Sequence, residues 1–243
     1  MAFFDLPGPF FSQLDTLLDA TIPPSVRLVL WAIAAAAVSM GLYRAISPQG
    51  RIAQAQAEVV EARRVLNGFD GEFADAWPLM KRMLGASLRH VGLVTGPAIA
   101  ASLPVLFLLV WLSTAFGYVF PGDDDLVDVR VEPTNHAAVW VGPGQSPDGP
   151  RVQVREPEND AVLADLPLAA PVTVLHKRQW WNTLVGNPAG YLPDEVPLDR
   201  IEIGLPRQEV LSFGPAWLRS WEALFFTALV LSSLAIKLVF RIR

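Results

Sequence analysis

The sequence predicts an α-helical membrane protein with three transmembrane helices and a cytoplasmic helical hairpin, plus a small all-β extracytoplasmic domain. The composition is 52% hydrophobic and only 18% charged, with a mean hydropathy of +0.34, as a membrane chain requires. Apolar runs at 24–45, 92–120 and 214–240 each reach the ~20 residues needed to cross the hydrocarbon. Charge is segregated between them. Seven basic residues (Arg44, Arg51, Arg63, Arg64, Lys81, Arg82, Arg89) face five acidic ones in 44–90, whereas 121–214 sums to −8. Basic flanks resist translocation, so 46–91 and the tail 241–243 are expected in the cytoplasm and 121–211 outside a bacterial plasma (inner) membrane.

The segment 1–23 has no basic leader and does not read as a cleavable signal peptide. Phe10, Phe11, Leu14, Leu17 and Leu18 share one helical face, which predicts a short interfacial helix; a poorly ordered terminus is the other reading. Arg27 and Arg44 bracket the first span, and each is expected to snorkel to its own headgroup layer. Small residues, among them Ala35, Ala36 and Ser39, favour close packing of that span.

In the hairpin, Ser47-Pro48 reads as a helix start and Asn67-Gly68 as a stop. Ile52, Ala55, Val59, Ala62 and Leu66 alternate at three and four, a narrow coiled-coil seam. The face Phe73, Trp77, Met80, Leu84 and Leu88 is expected to pack against it, with Pro78 as a restart or kink. The next run, 91–122, holds 32 residues without a formal charge, more than one perpendicular helix needs. Gly92, Gly96 and Pro97 are therefore expected to end a shallow helix and begin the spanning one.

Residues 121–211 are proline-rich and acidic, with candidate strands at 126–131, 138–141, 151–155, 171–175, 180–185 and 200–203. Turns at Gly142-Pro143-Gly144 and Gly186-Asn187-Pro188 separate them, which predicts a small barrel or sandwich. Asp123, Asp124 and Asp125 read as a solvated linker; a calcium loop would need spaced ligands and a glycine. The third run is expected to start its helix at Pro215 and continue to 240. Only 14 uncharged residues separate Glu222 from Lys237, and Lys237, Arg241 and Arg243 hold that end inside.

Several chemistries are excluded. The chain has no cysteine, and its three histidines, His90, His136 and His176, show no ligand spacing, so no metal is expected. Neither a P-loop nor a Ser-His-Asp grouping is present, so no catalytic residues and no cofactor are expected. The acidic segment argues against direct DNA binding.

The string VTVLHKRQWWNTLVGNPAGYLP at 172–193, preceded by VQVR at 152–155, resembles a bacterial Src-homology-3-like barrel. That resemblance implies a partner-binding face of Trp180, Trp181 and Tyr191; the other reading of such aromatic residues is core or interdomain contacts. The order of segments, with VRL at 26–28, MGLYR at 40–44, SPQGRI at 47–52 and 79–111 through the second span, resembles the YidC-like insertase superfamily. The likeness is to its three-span branch, which includes the third subunit of the endoplasmic reticulum membrane protein complex and archaeal homologues. It implies three helices enclosing a polar, cytoplasm-facing groove in a thinned bilayer, with Arg44 as its basic residue. Lys237 is a second cation, and Ser39, Ser113, Thr114, Thr227, Ser232 and Ser233 are the candidate groove hydroxyls.

The expected function is a membrane protein insertase or assembly factor. Its partners would be membrane-protein clients and the lipid bilayer, with the ribosome or other membrane subunits as further candidates. A non-catalytic anchor presenting the β domain to a partner is the alternative. Convergence of the hydroxyls on one hydrated cavity favours the insertase; dispersal or dry packing favours the anchor.

Overall fold

The computed structural model describes residues 2–122, 125–134, 136–156 and 161–242. Asp123 and Asp124 of the acidic run and Arg243 of the tail lie outside them. Two compact units result: Met1–Leu28 with Leu106–Leu224, and Val29–Val105 with Phe225–Arg243. Among the described residues three helices are long and apolar enough to cross a membrane: α2 (Pro24–Ile46), α4 (Phe73–Ala115) and α6 (Trp221–Phe240).

In the second unit, α2 packs through small residues. Ala32, Ala35 and Ala36 are buried, and the Ser39 hydroxyl donates to the Ala101 carbonyl of α4 at 2.7 Å. Without a hydrophobic force between helices in lipid, such close backbone approach and interhelical hydrogen bonding supply the attraction. α3 (Gln49–Asn67) follows a sharp connection in which Pro48 is the N-cap residue and the Gln49 amide bonds the Ser47 hydroxyl. Its seam buries Ile52, Ala55 and Ala62, while Val59 and Leu66 are half-buried.

Two expectations for α4 are overturned. It is one helix of 43 residues, about 64 Å long at 1.5 Å per residue, through Pro78, Pro97 and Pro104, and neither Gly92 nor Gly96 interrupts it. Each proline removes one ladder bond, but ending the helix would leave several backbone groups unbonded in an apolar stretch, which costs more. The face turned towards α3 is also different. Of the expected face, Phe73, Trp77, Leu84 and Leu88 are 51–76% exposed and only Met80 is half-buried, as are Leu79, Met83, Ala86, Ser87 and His90. The Glu58 carboxylate meets the Arg89 guanidinium at 3.1 Å across this pair of helices. Ala57 and Glu58 of α3 and Gly85, Ala86 and Arg89 of α4 line one cleft, so the side of α4 that carries small residues is the one beside α3, whereas rings as large as Phe73 and Trp77 would hold the helices apart. Lys81 covers the outward Trp77 ring at 5.2 Å.

In the first unit, β1 (Val129–Glu132), β6 (Arg200–Ile203) and β5 (Val174–His176) form one antiparallel sheet in the order β1-β6-β5. A second has the order β2-β3-β4, from β2 (Ala137–Val141), β3 (Arg151–Arg155) and β4 (Val162–Pro167). Both sheets feed one core. Val131, Leu175 and Ile201 come from the first, Val152, Val154 and Ala164 from the second. The strict alternation of β3 puts both of its valines inward.

Residues 180–185 are not a strand. They hold a 3-10 turn, Trp180–Thr183, because the buried Asn182 side chain accepts the Gln179 backbone N–H at 2.7 Å and donates to the Val185 carbonyl at 3.2 Å. A polar side chain that satisfies local backbone groups outweighs the strand preference of its aromatic neighbours. Strand β4 went unpredicted, since Ala164, Asp165 and Pro167 all lower strand propensity. Its place is set across the sheet, where Asp165 meets Arg151 at 2.7 Å.

The amino terminus is ordered as a 3-10 turn, Phe3–Asp5, and α1 (Gly8–Asp19). Phe4 N–H donates to the Leu184 carbonyl at 2.8 Å and Gly186 N–H to the Asp5 carboxylate at 2.9 Å. A Cβ at Gly186 would occupy the place of that carboxylate, which explains the glycine. Arg27 does not snorkel: it is 6% exposed and bonds Asp15 and Asp19, each at 2.8 Å. The run 214–240 is likewise not one helix. α5 (Ala216–Arg219) is a single turn, and Ser220, extended at ψ 156°, separates it from α6. The Arg219 carbonyl accepts Val210 N–H at 2.8 Å and its guanidinium holds Glu209 at 3.0 Å, so its groups are satisfied outside a continuous helix.

Candidate functional site

The carboxyl-terminal turn of α6 shapes the site in the second unit. Ile242 N–H donates to the Lys237 carbonyl at 3.1 Å and Arg241 N–H to the Leu238 carbonyl at 3.4 Å, with Arg241 at φ +50°. This pair of bonds around a left-handed residue is a Schellman cap. The turn brings the chain back, so that Ile242 is only 6% exposed.

Two clefts share Ile242 as a wall. The larger, ≈590 Å³, is lined by Met40, Tyr43, Ile52, Gln56, His90, Val94, Lys237 and Ile242, drawn from α2, α3, α4 and α6. The smaller, ≈270 Å³, is lined by Arg44, Gln49, Gly50, Phe240, Arg241 and Ile242. Charge in both is of one sign. Among the described residues no carboxylate pairs with Lys237, Arg44 or Arg241, and the Arg44 guanidinium stands 5.8 Å from the Phe240 ring centroid. The larger cleft therefore offers a cation, an imidazole, an amide and a phenol beside methionine, isoleucine and valine. Such a surface can hold a polar group and an apolar segment side by side, and a cation beside apolar walls attracts an anion more strongly than it would in water.

The eight groove candidates do not share one cleft. Lys237 lines the larger and Arg44 the smaller. Ser39 is spent on the α2–α4 contact. Ser113 bonds its own helix at Val110, 2.7 Å away, and lines a ≈460 Å³ cleft of the first unit together with Thr114, His176, Trp181, Asn187 and Arg200. On α6, Thr227 is exposed and Ser232 and Ser233 are half-buried. Tyr43, Gln56 and His90 were not singled out from sequence. The available signal was positional, because each sits within one turn of a span end or beside the α3 seam.

Of the aromatic residues in the β domain, Trp181 lies 5.1 Å from His176, and His176 lies 5.9 Å from Tyr191. Arg178 covers Tyr191 at 5.9 Å, and Trp180 is 80% exposed. None of the three belongs to the buried core, which corrects the expectation of a core role: Trp180 and Trp181 are exposed and Tyr191 is half-buried. No protein-family model matches the chain, and no curated protein and no solved structure is significantly similar to it.

Proposed function

We propose that the protein is a membrane protein insertase or assembly factor, working through the cleft of Lys237 and His90. The observation that carries this reading is the ≈590 Å³ cleft, in which one cation with no carboxylate partner among the described residues and three neutral polar side chains meet four apolar ones, drawn from all three apolar helices and their surroundings. Transferring a polar flank through hydrocarbon leaves backbone groups unbonded, at several kcal/mol each. A half-polar cleft lowers that barrier without nucleotide or covalent chemistry. In this reading the basic segment 44–90 and the carboxyl terminus are cytoplasmic, the β domain is outside, and the chain resides in a bacterial inner membrane.

The test uses purified protein in vesicles with a short-tailed client carrying an acidic flank. Crosslinks from a photoreactive residue at Gln56 to the client, and slower insertion with Lys237→Glu at unchanged protein level, are expected. Full insertion by Lys237→Glu with no crosslink from Gln56 would remove the cleft from the mechanism.

The dispersal of the hydroxyls favours a second reading, an anchor that presents the β domain to a partner. Its supporting feature is the ≈460 Å³ cleft of Trp181, His176, Asn187 and Arg200. Insertion that persists when 126–205 is replaced by a flexible linker would favour the insertase; absence of client crosslinks from Gln56 together with loss of a copurifying partner on Trp181→Ala would favour the anchor.

A further inference from the structure

We infer that the smaller cleft, between Arg44 and Arg241, binds the phosphate of an anionic phospholipid. It goes beyond the client cleft and does not depend on it.

Arg44 and Arg241 both line one ≈270 Å³ space, and among the described residues neither has a carboxylate partner. Like charges held together repel, and an anion between them would turn that repulsion into attraction. Arginine forks match the non-bridging oxygens of a phosphate in pairs. The walls suit the rest of a lipid: Phe240 and Ile242 are apolar, and Gln49 offers an amide. Position points to the same ligand. Arg44 is in the last turn of α2 and Arg241 follows the end of α6, so both stand where helices of spanning length leave the hydrocarbon and phosphates begin.

The backbone adds an independent observation. Arg241 holds φ +50°, a conformation that favours glycine. An arginine kept at the left-handed position of a helix cap sacrifices local stability, and it sets Arg241 in the wall of the cleft that Arg44 lines.

The experiment reconstitutes the full chain in phosphatidylcholine nanodiscs containing phosphatidylglycerol and counts retained lipid by native mass spectrometry. Wild type is expected to keep one phosphatidylglycerol in preference to phosphatidylcholine. Arg44→Gln and Arg241→Gln should each weaken retention about tenfold, the scale of one charge-assisted hydrogen bond. Arg241→Gly separates binding from folding, because it relaxes the cap: thermal stability should hold or rise while lipid retention falls. Inorganic phosphate at millimolar concentration should not displace the lipid. Displacement by phosphate alone would reassign the site to a soluble anion, and displacement by an acidic peptide but not by added phosphatidylglycerol would reassign it to a client; either overturns the proposal. Equal retention by wild type and the Arg44→Gln, Arg241→Gln double variant would do so as well.

Discussion

Helix α2 ends in two arginines that read alike in sequence and live in opposite environments. Arg27 is 6% exposed, bonds Asp15 and Asp19 at 2.8 Å each, and covers the Phe116 ring at 5.4 Å. Arg44 is exposed, lines a cleft with a second arginine, and stands 5.8 Å from the Phe240 ring centroid, with no carboxylate partner among the described residues. The difference separates a charge used to hold the fold from one left available. Arg27 ties α1 to the first turn of α2, and its charge is spent there. Arg44 makes no comparable ion pair among the described residues, so its presence at the helix end calls for another use.

The contrast has measurable consequences in equilibrium unfolding of the protein in mixed micelles, followed by tryptophan fluorescence. Arg27→Leu should cost about 3 kcal/mol, because it takes the guanidinium away from the nearly buried Asp15 carboxylate. A loss below about 1 kcal/mol would mean that the pair is solvated and that the two arginines differ less than their surroundings suggest. Arg27→Lys should cost about 1.5 kcal/mol, since an ammonium cannot reach two carboxylates and stack on Phe116 with the same geometry. The double variant Arg27→Leu, Asp15→Leu should recover to within about 1 kcal/mol of wild type, as removing both partners leaves no buried charge unpaired. Full additivity of the two single losses would show that they act independently. Arg44→Ala should change stability by no more than about 0.5 kcal/mol; a larger loss would make it a structural residue like Arg27.

The three apolar helices were legible because hydropathy and length are one-dimensional properties, and a run such as that of α2 has few folded alternatives. The seam of α3 was legible for the same reason: Ile52, Ala55 and Ala62 carry their spacing with them. Its partner face was not. Phe73, Trp77, Leu84 and Leu88 have as good a helical period as the residues that are half-buried, and periodicity does not say which of two apolar stripes lets helices approach closely. Reading the prolines and glycines of α4 as breaks failed because their local penalty is smaller than that of opening the ladder in an apolar environment. In the β domain, β3 announced itself by alternation, whereas β4 carries no such signal of its own and is set by pairing with the preceding strand β3, where Arg151 meets Asp165.

What the sequence by itself determined is the inventory: three runs able to span a membrane, a basic hairpin and an acidic, strand-forming insert, all properties summed over residues near one another in the chain. Tertiary structure decided which charges are spent and which are free. Asp15 and Asp19 approach Arg27 only because α1 folds back beside α2, and Arg241 joins Arg44 only because the Schellman turn after α6 reverses the chain. Ser113 and Thr114 line a cleft with β-domain residues some sixty positions further along the chain, such as His176 and Trp181, rather than with the cations of the span ends. Charge and polarity act over a few ångströms through space, so a list of basic and hydroxyl residues becomes a site only once the fold has chosen their neighbours.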